Sequence, residues 1–529
     1  MEKQNDNSRN TSRKFNDHDR TRKFENSERP VYKDPVITNK INGIREGEYF
    51  NGVAKILRKV KPGPVIFTLS DGLSTIDGVI KDSEYDVDNV VDIKGLVTER
   101  AGKLQIEIEY ITKSSTDFNK IIEELSKPVR TTFSIKSERY EKMKTRFMDI
   151  AKRIRRAIID NEPIIIRHHN DSDGINAGIA IELACQKMME KIGINPSYNL
   201  YRSPSMAPFY ETSDVFRDLT LSKRLTEEHD QKKPLILVLD SGSTPEDIFS
   251  FKIMKTMNHE CIVVDHHNPV IIEKGKTTVC DYLSYHLNPY LFGFDNQTSA
   301  GMLCYELARM INEEFENPSM PAVAAISDRC TIRETDDYVK NSKKSLDELK
   351  KVGIAIDFIA YNLRFESGEG VFEELYTNYP LVELINEEVR KDVEKQLQST
   401  MPYLRTQEID GITFSHIDLE KYTLRFTYPT PGKVLGMIHD TIALGKEHSP
   451  VITIGYVSDM IIIRATQPVL PVQKLIKVLR EKIPEANVDG GGHEMAGTIK
   501  FVPAHLTRII EIIKEELKNV KYAETLHGQ

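Results

Sequence analysis

The chain has 529 residues, of which 39% are hydrophobic and 29% are charged, and its formal net charge at pH 7 is -8. This length suggests three or four domains, and the composition excludes collagen-like, mucin-like and fully disordered classes of protein. The acidic balance argues against a protein that coats nucleic acid indiscriminately, but an acidic metal site can still lie beside a local basic channel.

Membrane, export and disulfide signals are missing from the sequence. No apolar run approaches the roughly 20 residues that a membrane helix needs, and the N-terminus has no apolar signal-peptide core. We therefore expect a cytoplasmic protein that makes no membrane contact. The cysteines are odd in number, widely spaced and without a CxxC pair, so neither a zinc ribbon nor a disulfide framework is indicated.

Residues 1–36 are polar and rich in asparagine, with almost no apolar side chains. Such a segment cannot bury enough surface to fold alone, so we predict a disordered tail. A weakly basic arm that helps to hold nucleic acid is the alternative.

Residues 38–115 predict a small β-barrel. Short segments with alternating hydrophobicity are separated by turns that contain glycine or proline, which is typical of a barrel. The predicted strands are Tyr49 to Val60, Val65 to Leu69, Ser74 to Ile80, Val90 to Thr98 and Lys103 to Ile111. Their tight order resembles an OB-fold, which binds single strands by stacking and backbone contacts. An SH3-like barrel, or a barrel used only for protein contacts, is the alternative.

Residues 116–160 predict a helical linker. Apolar residues recur at helical spacing over about 137–159: Tyr140, Met143, Phe147, Ile150, Ile154 and Ala157. A basic cluster near the end of this helix, Lys152, Arg153, Arg155 and Arg156, favours a solvated face, with a contribution to a phosphate channel as the alternative.

The rest of the chain predicts two α/β domains joined by helices. In 161–340, apolar strands alternate with helical stretches, which favours a largely parallel sheet. The strands end near His168, Leu239 and Val264. Residues 341–403 predict a helical connector, and 404–522 predict a second, smaller α/β domain that ends in a helix over Leu506 to Lys518.

The segment "IIIRHHNDSDG" carries the first cluster of candidate metal ligands. His169, Asp171 and Asp173 stand at i, i+2 and i+4, so in an extended chain all three side chains point the same way. They would then converge at the carboxyl end of a parallel strand, where open α/β sheets place their sites. A polar loop after a strand is the alternative.

Three further apolar segments end in potential ligands: "LILVLD" at Asp240, "CIVVDHH" at Asp265, His266 and His267, and "AVAAISD" at Asp328. Together the segments supply ligands for two metal ions, with one carboxylate left to bridge them. Carboxylates suit Mg²⁺ or Mn²⁺, and the imidazoles shift the preference toward Mn²⁺. Two such ions can activate a water and stabilise the leaving oxygen of a phosphate ester.

A glycine run in the C-terminal part predicts an anion-binding loop. Gly490, Gly491 and Gly492 let backbone N–H groups approach an anion closely, and His493 follows them. Arg464, inside a strand-like run of the same domain, can grip phosphate with two hydrogen bonds. A flexible turn and an exposed strand charge are the alternatives.

These motifs, in this order, resemble those of the DHH phosphoesterase family. "HNDSDG", "VLDSG", "VVDHHNP" and "ISD" match its catalytic domain over about 160–340, and "GGGH" matches the C-terminal domain of the RecJ-like branch over about 405–502. The resemblance implies a two-lobed fold, with a parallel-sheet DHH domain and a smaller α/β domain. A barrel before the core is similar to the archaeal RecJ-like arrangement.

The resemblance also implies a role for each residue. One ion would be bound by His169 and Asp171, the second by Asp173, His266 and Asp328, with Asp240 as the bridge. Asp265 would support His266, and His267 would assist positioning or proton transfer near the substrate. Arg464 and the loop of Gly490, Gly491, Gly492 and His493 would hold the substrate phosphate. Thr298 and Ser299 match a family segment and would cap a helix whose amino end faces the site, but the interpretation that we favour for these two residues is a plain helix cap.

The implied activity is that of a metal-dependent exonuclease, which hydrolyses single-stranded DNA or RNA to mononucleotides with two divalent ions, Mn²⁺ in preference to Mg²⁺. One alternative is an oligoribonuclease or cyclic-dinucleotide phosphodiesterase of the same family. Another is a replisome scaffold with little activity. By resemblance alone, GINS-type replication factors or RNA-processing nucleases are possible partners. Neither the sugar preference nor the polarity follows from the sequence.

Overall fold

The computed structural model describes residues 36–61, 63–205, 207–424, 427–446, 449–493 and 495–518. The predicted disordered tail therefore lies, except for its last residue, outside the described part of the chain. Within the described part, no helix is both long and apolar enough to cross a membrane.

A closed barrel of five strands, with a short strand at its side, forms the N-terminal unit. Its strands are β1 (Ile37–Thr38), β2 (Tyr49–Val60), β3 (Val65–Ser70), β4 (Thr75–Ile80), β5 (Val90–Arg100) and β6 (Lys103–Lys113). The barrel order is β2-β3-β4-β6-β5, and β5 pairs back onto β2. Only the β4–β6 pair within the barrel is parallel. Inward side chains such as Phe50 and Phe67 are fully buried. This is the OB-like barrel predicted from the sequence.

Two helices follow the barrel, α1 (Phe118–Leu125) and α2 (Glu138–Ile159). The apolar stripe predicted for the second helix is buried in the main core, as expected. The basic cluster on α2 has partners within the protein. Arg153 pairs with Glu162 and Glu260, and Arg155 donates to two backbone carbonyls. The cluster therefore fixes the helix to its neighbours, which corrects the expectation of a solvated face.

A parallel sheet forms the core of the second unit. Its elements in chain order are β7 (Ile164–His169), β8 (Leu200–Ser205), β9 (Leu235–Leu239), β10 (Cys261–Val264), the hairpin β11 (Ile271–Glu273) and β12 (Lys276–Thr277), and β13 (Tyr285–Leu287). The sheet order is β13-β10-β9-β7-β8, and all pairs are parallel. The chain leaves β7 toward one edge and returns on its other side at β9. This reversal opens a crevice at the carboxyl ends of the strands.

Helices cover both faces of this sheet. They are α3 (Ser172–Lys191), α4 (Thr212–Glu227), α5 (Ile248–Thr256), α6 (Ala300–Ile311), α7 (Ser319–Ser327), α8 (Arg333–Ser342), α9 (Leu346–Leu363), α10 (Val371–Glu374) and α11 (Tyr379–Thr400). One buried cluster includes residues of α2, α3, α6, α7 and α9, and a second lies under α4 and α5. The helices α9, α10 and α11 lie between the parallel sheet and the third unit.

The third unit is a six-stranded sheet with helices. Its elements are β14 (Arg405–Ile409), β15 (Ile412–Asp418), α12 (Leu419–Tyr422), α13 (Pro431–Ala443), β16 (Val451–Val457), β17 (Met460–Ala465), α14 (Val472–Lys482), β18 (Asp489–His493), β19 (Ala496–Lys500) and α15 (Leu506–Lys518). The sheet order is β14-β15-β16-β17-β19-β18, with only β15 and β16 parallel. The two α/β units together confirm the predicted two-lobed fold class.

The barrel contacts the second unit at the amino ends of its parallel strands. Nζ of Lys55 in β2 lies 2.7 Å from Oδ1 of Asp160, which comes shortly before β7. The Thr75 hydroxyl donates to the carbonyl oxygen of Gly193, in the segment before β8, at 2.9 Å. The barrel and the carboxyl-end crevice therefore lie at opposite ends of the sheet.

Candidate metal centre

Several His and Asp side chains meet in the crevice at the carboxyl ends of the parallel strands. His169 ends β7, Asp240 follows β9, and Asp265, His266 and His267 follow β10. Parallel strands end at one edge of the sheet, so apolar runs that are distant in sequence bring their terminal polar residues together.

Asp328 reaches the crevice from a helix. The apolar run before it forms α7, and Asp328 is the residue that ends this helix. The run is rich in alanine, which favours helix. This segment therefore differs from the other three, in which a buried strand precedes the ligand.

The first group of ligand atoms belongs to His169, Asp171 and Asp240. Nδ1 of His169 lies 2.9 Å from Oδ2 of Asp171 and 3.6 Å from Oδ2 of Asp240. Asp171 also caps α3, where its Oδ1 accepts a hydrogen bond from the Gly174 N–H at 3.0 Å. The helix α3 begins directly after Asp171, so the backbone at Asp173 is helical, and the side chain of Asp173 does not point in the same direction as that of His169. The expectation that all three side chains point the same way is therefore wrong.

The second group belongs to Asp173, His266 and Asp328. Nε2 of His266 lies 3.7 Å from Oδ2 of Asp173 and 3.6 Å from Oδ2 of Asp328. The Asp173 carboxylate accepts hydrogen bonds from the backbone N–H groups of Ala300 and Gly301, both at 2.9 Å. These are the first residues of α6, so the amino end of this helix fixes the carboxylate.

The helix α6 also answers the expectation for Thr298 and Ser299. Ser299 is the N-cap of α6, and its side chain accepts a hydrogen bond from the Met302 N–H. The amino end of the helix faces Asp173, as the family segment implies.

Asp240 lies between the two groups. Its Oδ2 faces His169, and its Oδ1 lies 3.3 Å from Nε2 of His266 and 3.8 Å from Nδ1 of His267. Oδ1 is buried and has no hydrogen-bond partner among the described residues. Asp240 also has a φ of 55°, which is costly for a residue other than glycine. A buried carboxylate oxygen that faces two imidazoles and accepts no hydrogen bond among the described residues fits a cation ligand.

Close packing leaves no room for a side chain at two glycines that lie beside the carboxylates of Asp240 and Asp173. A Cβ atom at Gly174 would lie 2.9 Å from Oδ2 of Asp240 and 2.4 Å from the carbonyl oxygen of His169. A Cβ atom at Gly301 would lie 2.9 Å from Oδ1 of Asp173. Glycine at both positions therefore lets the helices α3 and α6 approach the crevice.

The carboxylates and imidazoles strongly shift each other's pKa values. Burial lowers the pKa of His169 and of His266, but neighbouring carboxylates outweigh burial and raise both pKa values well above the ordinary one. Burial raises the pKa of Asp328 to about 6, and burial with the Asp240 charge raises that of Asp173 well above its usual range. Without a cation, these groups compete for protons, as expected for a metal-binding cluster.

The two histidines after β10 are held by different partners. Nδ1 of His266 is 2.7 Å from the carbonyl oxygen of Asn296, which leaves Nε2 toward the carboxylates. Nδ1 of His267 is 2.7 Å from Oδ1 of Asp265. Oδ1 of Asp265 also accepts a hydrogen bond from the backbone N–H of His266, at 2.8 Å. Asp265, which was expected to support His266, therefore contacts both histidines.

Arg464 approaches the centre from the third unit. It lies on β17, and burial together with the neighbouring Arg329 guanidinium lowers the pKa of its own guanidinium. Asp328 is close enough for its charge to act on Arg464. The Nε atom of Arg464 is buried and has no hydrogen-bond partner in the described part of the chain. The predicted phosphate-binding arginine is thus near one of the candidate metal ligands.

The glycine run forms a strand instead of the predicted loop. Gly490, Gly491, Gly492 and His493 belong to β18, the edge strand of the six-stranded sheet, because β19 provides a pairing partner for the whole run. His493, Ala496 and Arg464 stand in one row across three strands. A Cβ atom at Gly491 would lie 3.8 Å from Oε1 of Glu246, which belongs to the second unit. An edge strand leaves one row of backbone groups unpaired within its sheet.

Sequence reasoning missed a lysine that lies between the two lobes. Lys433, in the first turn of α13, pairs with Asp357 of α9. The other oxygen of Asp357 accepts a hydrogen bond from the backbone N–H of Ser172 at 3.0 Å. Burial lowers the pKa of Lys433, but the charge of Asp357 and, more weakly, that of Asp171 raise it above the ordinary value. The lysine is therefore positioned beside the first group of ligands.

A second ion pair from the same helix also joins the lobes. Asp440 of α13 pairs with both terminal nitrogens of Arg329, at 3.2 and 3.0 Å. Arg329 directly follows Asp328, so this pair adjoins the second group of ligands. The two pairs join residues 76 and 111 positions apart, and no short motif in the sequence marks them.

The donor set fits divalent cations. Within the described ranges, three groups have ligand atoms within 4.8 Å of one another: Asp240 with His266 and His267, His169 with Asp171 and Asp240, and Asp173 with His266 and Asp328. Carboxylate and imidazole donors without thiolates suit Mn²⁺ or Mg²⁺ better than structural Zn²⁺. The crevice can therefore hold a metal ion between its Asp and His side chains.

The fold and the site together define a two-lobed α/β protein with a metal-binding crevice at the strand ends. No family model matches the chain. The chain is 37% identical over 514 residues to the "Uncharacterized protein MJ1198" of Methanocaldococcus jannaschii, covering 88% of this chain and 68% of that protein. A structure titled "Member of s1p family of ribosomal proteins PF0399 DHH domain" is 35% identical, with a TM-score of 0.74, and the match covers 76% of this chain and 97% of that one.

A structure of RecJ with Mn²⁺ from Thermus thermophilus is 16% identical, with a TM-score of 0.47, and the match covers 71% of this chain and 55% of that one. The chain belongs to the DHH family, as the 35% identical DHH-domain structure shows. The family recognised from the sequence is thus confirmed.

Proposed function

We propose that the chain is a metal-dependent exonuclease that hydrolyses single-stranded DNA or RNA to mononucleotides. The observation that carries this proposal is the position of Asp240. Its two carboxylate oxygens face the two sets of His and Asp ligands, 3.6 Å from His169 and 3.3 Å from His266. Such a bridging carboxylate is what a centre with two divalent ions requires.

In this proposal the ions are Mn²⁺, or Mg²⁺ in its place. His169 and Asp171 would hold one ion, His266 with Asp173 and Asp328 would hold the other, and Asp240 would be shared between them. When bound, the two ions supply Lewis-acid stabilisation for the phosphodiester and lower the pKa of the attacking water. His267, oriented by Asp265, is within 3.8 Å of Asp240 and is the group suited to position or move a proton.

The second lobe supplies the contacts to the substrate phosphate. Arg464 offers a guanidinium whose buried Nε atom has no hydrogen-bond partner among the residues that the structure describes. The edge strand that contains Gly490, Gly491, Gly492 and His493 offers backbone groups. Lys433 adds a positive charge beside Asp171. Because these groups and the metal ligands come from different lobes, a strand end between the lobes would contact both.

The barrel favours a long substrate over a dinucleotide. It contacts the amino ends of the parallel strands, whereas the metal ligands lie at the carboxyl ends. A strand such as β9, with five residues, separates the two by roughly 17 Å. A dinucleotide in the crevice would not reach the barrel. The filled ligand positions argue against a scaffold without activity. We assign strand binding to residues 38–115, metal binding to 161–340 and phosphate binding to 404–522.

A length series tests the proposal. The full chain is incubated with Mn²⁺ and end-labelled DNA or RNA strands of about 2 to 40 nucleotides. The expected result is release of mononucleotides from the long strands. Activity confined to the shortest substrates would support the oligoribonuclease alternative, and no activity on any strand would support the scaffold. Labels at either end also give the polarity, and association with replication factors or RNA-processing nucleases is then tested separately.

A further inference from the structure

A cavity of about 290 Å³, separate from the crevice that contains the metal ligands, lies on strands β7 and β8 beside that crevice. Its wall includes three arginines and one aromatic side chain: Arg167, Arg217, Arg364 and Phe365. Its lining residues, all in the described part of the chain, include none from the third unit. The cavity is therefore distinct from the phosphate contacts assigned to Arg464 and the glycine strand.

The floor of this cavity is a fixed guanidinium group. Arg167 is only 3% exposed. Its guanidinium pairs with Asp218 and donates to the carbonyl oxygen of Pro204 at 3.1 Å. The Tyr210 hydroxyl donates to Asp218 at 2.8 Å. A guanidinium held in this way loses little conformational freedom when it meets a ligand.

The rim carries two more guanidinium groups. Arg217 lies 3.2 Å from Asp214, and its side chain is 56% exposed. Arg364 is exposed and makes no salt bridge within the described residues. Three guanidinium groups therefore stand against two carboxylates, Asp214 and Asp218, which leaves an excess of positive charge. This balance favours an anionic ligand.

The backbone at the rim is strained. Arg364 and Phe365 follow the end of α9, with φ values of 50° and 74°. Such values are costly for large side chains and are often retained where a ligand is held. Here the two conformations present a guanidinium and an aromatic ring side by side at the cavity. The Phe365 ring is 37% exposed and can stack on a flat group.

The register of the sheet relates the cavity to the metal centre. Arg167 comes two residues before His169 on β7, so both side chains lie on the same face, about 7 Å apart along the strand. On the neighbouring strand, Ser203 pairs with Arg167 and Ser205 pairs with His169. The cavity is therefore adjacent to the first group of metal ligands.

The geometry points to a pocket for one phosphorylated nucleotide, with the arginines on the phosphate and Phe365 stacked on the base. The inference rests on the proposed function for the class of ligand. Guanidinium groups match phosphate oxygens with paired hydrogen bonds, and aromatic rings stack on any base. The volume lies at the lower limit of small-molecule pockets, about 300 Å³, and suits one nucleotide. A released nucleoside monophosphate and the phosphorylated end of a strand share this chemistry.

The test is a calorimetric titration of the full chain with AMP in the presence of a metal chelator. All variants carry Arg464→Ala, so that the other phosphate contact does not contribute. Arg364→Ala and Phe365→Leu are each expected to weaken AMP binding by about 5- to 150-fold, which corresponds to 1–3 kcal/mol. Arg508→Ala, an exposed arginine of α15 with carboxylate partners, is the matched control and should leave binding unchanged.

Two results would overturn the pocket: no AMP binding at millimolar concentration, or equal binding by the Arg364 and Phe365 variants and their parent. Because the titration needs no catalysis, a protein that binds AMP here but cleaves no strand would refute the exonuclease and keep the pocket. Competition by trinucleotides identifies the source of the ligand. If only phosphorylated trinucleotides displace AMP, the natural ligand is the phosphorylated end of a strand. If no trinucleotide displaces AMP, the natural ligand is the released nucleoside monophosphate. Both results agree with the pocket.

Discussion

Substitution of Asp240 distinguishes a shared two-ion centre from two independent sites. Asp240→Asn removes a charged ligand that faces both groups, whereas Asp171→Asn affects only the first group and Asp328→Asn only the second. We expect the wild-type protein to bind two Mn²⁺ ions. The Asp171 and Asp328 variants should each retain one ion, and the Asp240 variant should bind neither tightly.

The size of the effect follows from the number of ions. An ion that binds only the folded protein stabilises it by about 2.7 kcal/mol when its concentration is 100 times Kd. Two ions therefore contribute about 5 kcal/mol. For a unit of the size of 161–340, a change of 1 kcal/mol in the free energy of unfolding shifts the Tm by about 2–4 °C. Mn²⁺ should raise the wild-type Tm by about 10–20 °C, those of the Asp171 and Asp328 variants by about half, and that of the Asp240 variant hardly at all.

Thermal unfolding with Mn²⁺ or with chelator measures these shifts, and calorimetry gives the number of bound ions. Asp410→Asn, in the exposed turn between β14 and β15, is the control for loss of one carboxylate. A full Mn²⁺-induced Tm shift in Asp240→Asn would refute the shared two-ion centre. An equal loss of the Tm shift in Asp171→Asn and Asp240→Asn would also refute it.

Three further substitutions test the surrounding structure. Lys55→Met leaves Asp160 without its lysine partner, and urea unfolding should show a loss of about 2 kcal/mol, less than the 3–5 kcal/mol of a fully buried pair. Burial lowers the pKa of His286 from 6.5 to about 4, so the unfolded chain binds a proton that the folded protein excludes. The contribution of His286 to the free energy of unfolding should fall by roughly 3 kcal/mol from pH 6.5 to pH 4, so the pH dependence of the wild type should exceed that of His286→Gln by this amount. Gly301→Ala brings a Cβ atom to 2.4 Å from Cβ of Ala324 on α7 and to 2.9 Å from Oδ1 of Asp173. It should cost about 1–3 kcal/mol and weaken only the second ion, as measured by Mn²⁺ titration.

Each of these predictions has a result that contradicts it. Unchanged stability of the Lys55 variant would mean that the ion pair does not hold the barrel. A pH dependence of unfolding that is the same with and without His286 would assign that dependence to other groups. Equal weakening of both ions by Gly301→Ala would mean that α6 does not act on the second group alone.

The strand-ending ligands were predictable because their signal is local. A buried strand that ends in Asp or His needs only an apolar run and the residue after it, as at Asp240 and His266. In a parallel sheet such ends must meet. The barrel was predictable for a similar reason, because each of its strands shows alternating hydrophobicity between turn residues.

The errors arise where neighbours distant in sequence decide the structure. The glycine run at Gly490 is a strand because β19 pairs with it, which a short segment does not reveal. Lys433 and Arg329 join the lobes only once the third unit has folded against the second, so no local pattern identifies them.

The most direct test of the proposed function is the release of mononucleotides from a labelled single strand of about 40 nucleotides in Mn²⁺. The wild-type chain is compared with Asp240→Asn, and Asp410→Asn is the matched control. We expect mononucleotide release by the wild type and the control, and none by Asp240→Asn. Equal release by all three proteins, or no release by the wild type, would contradict it.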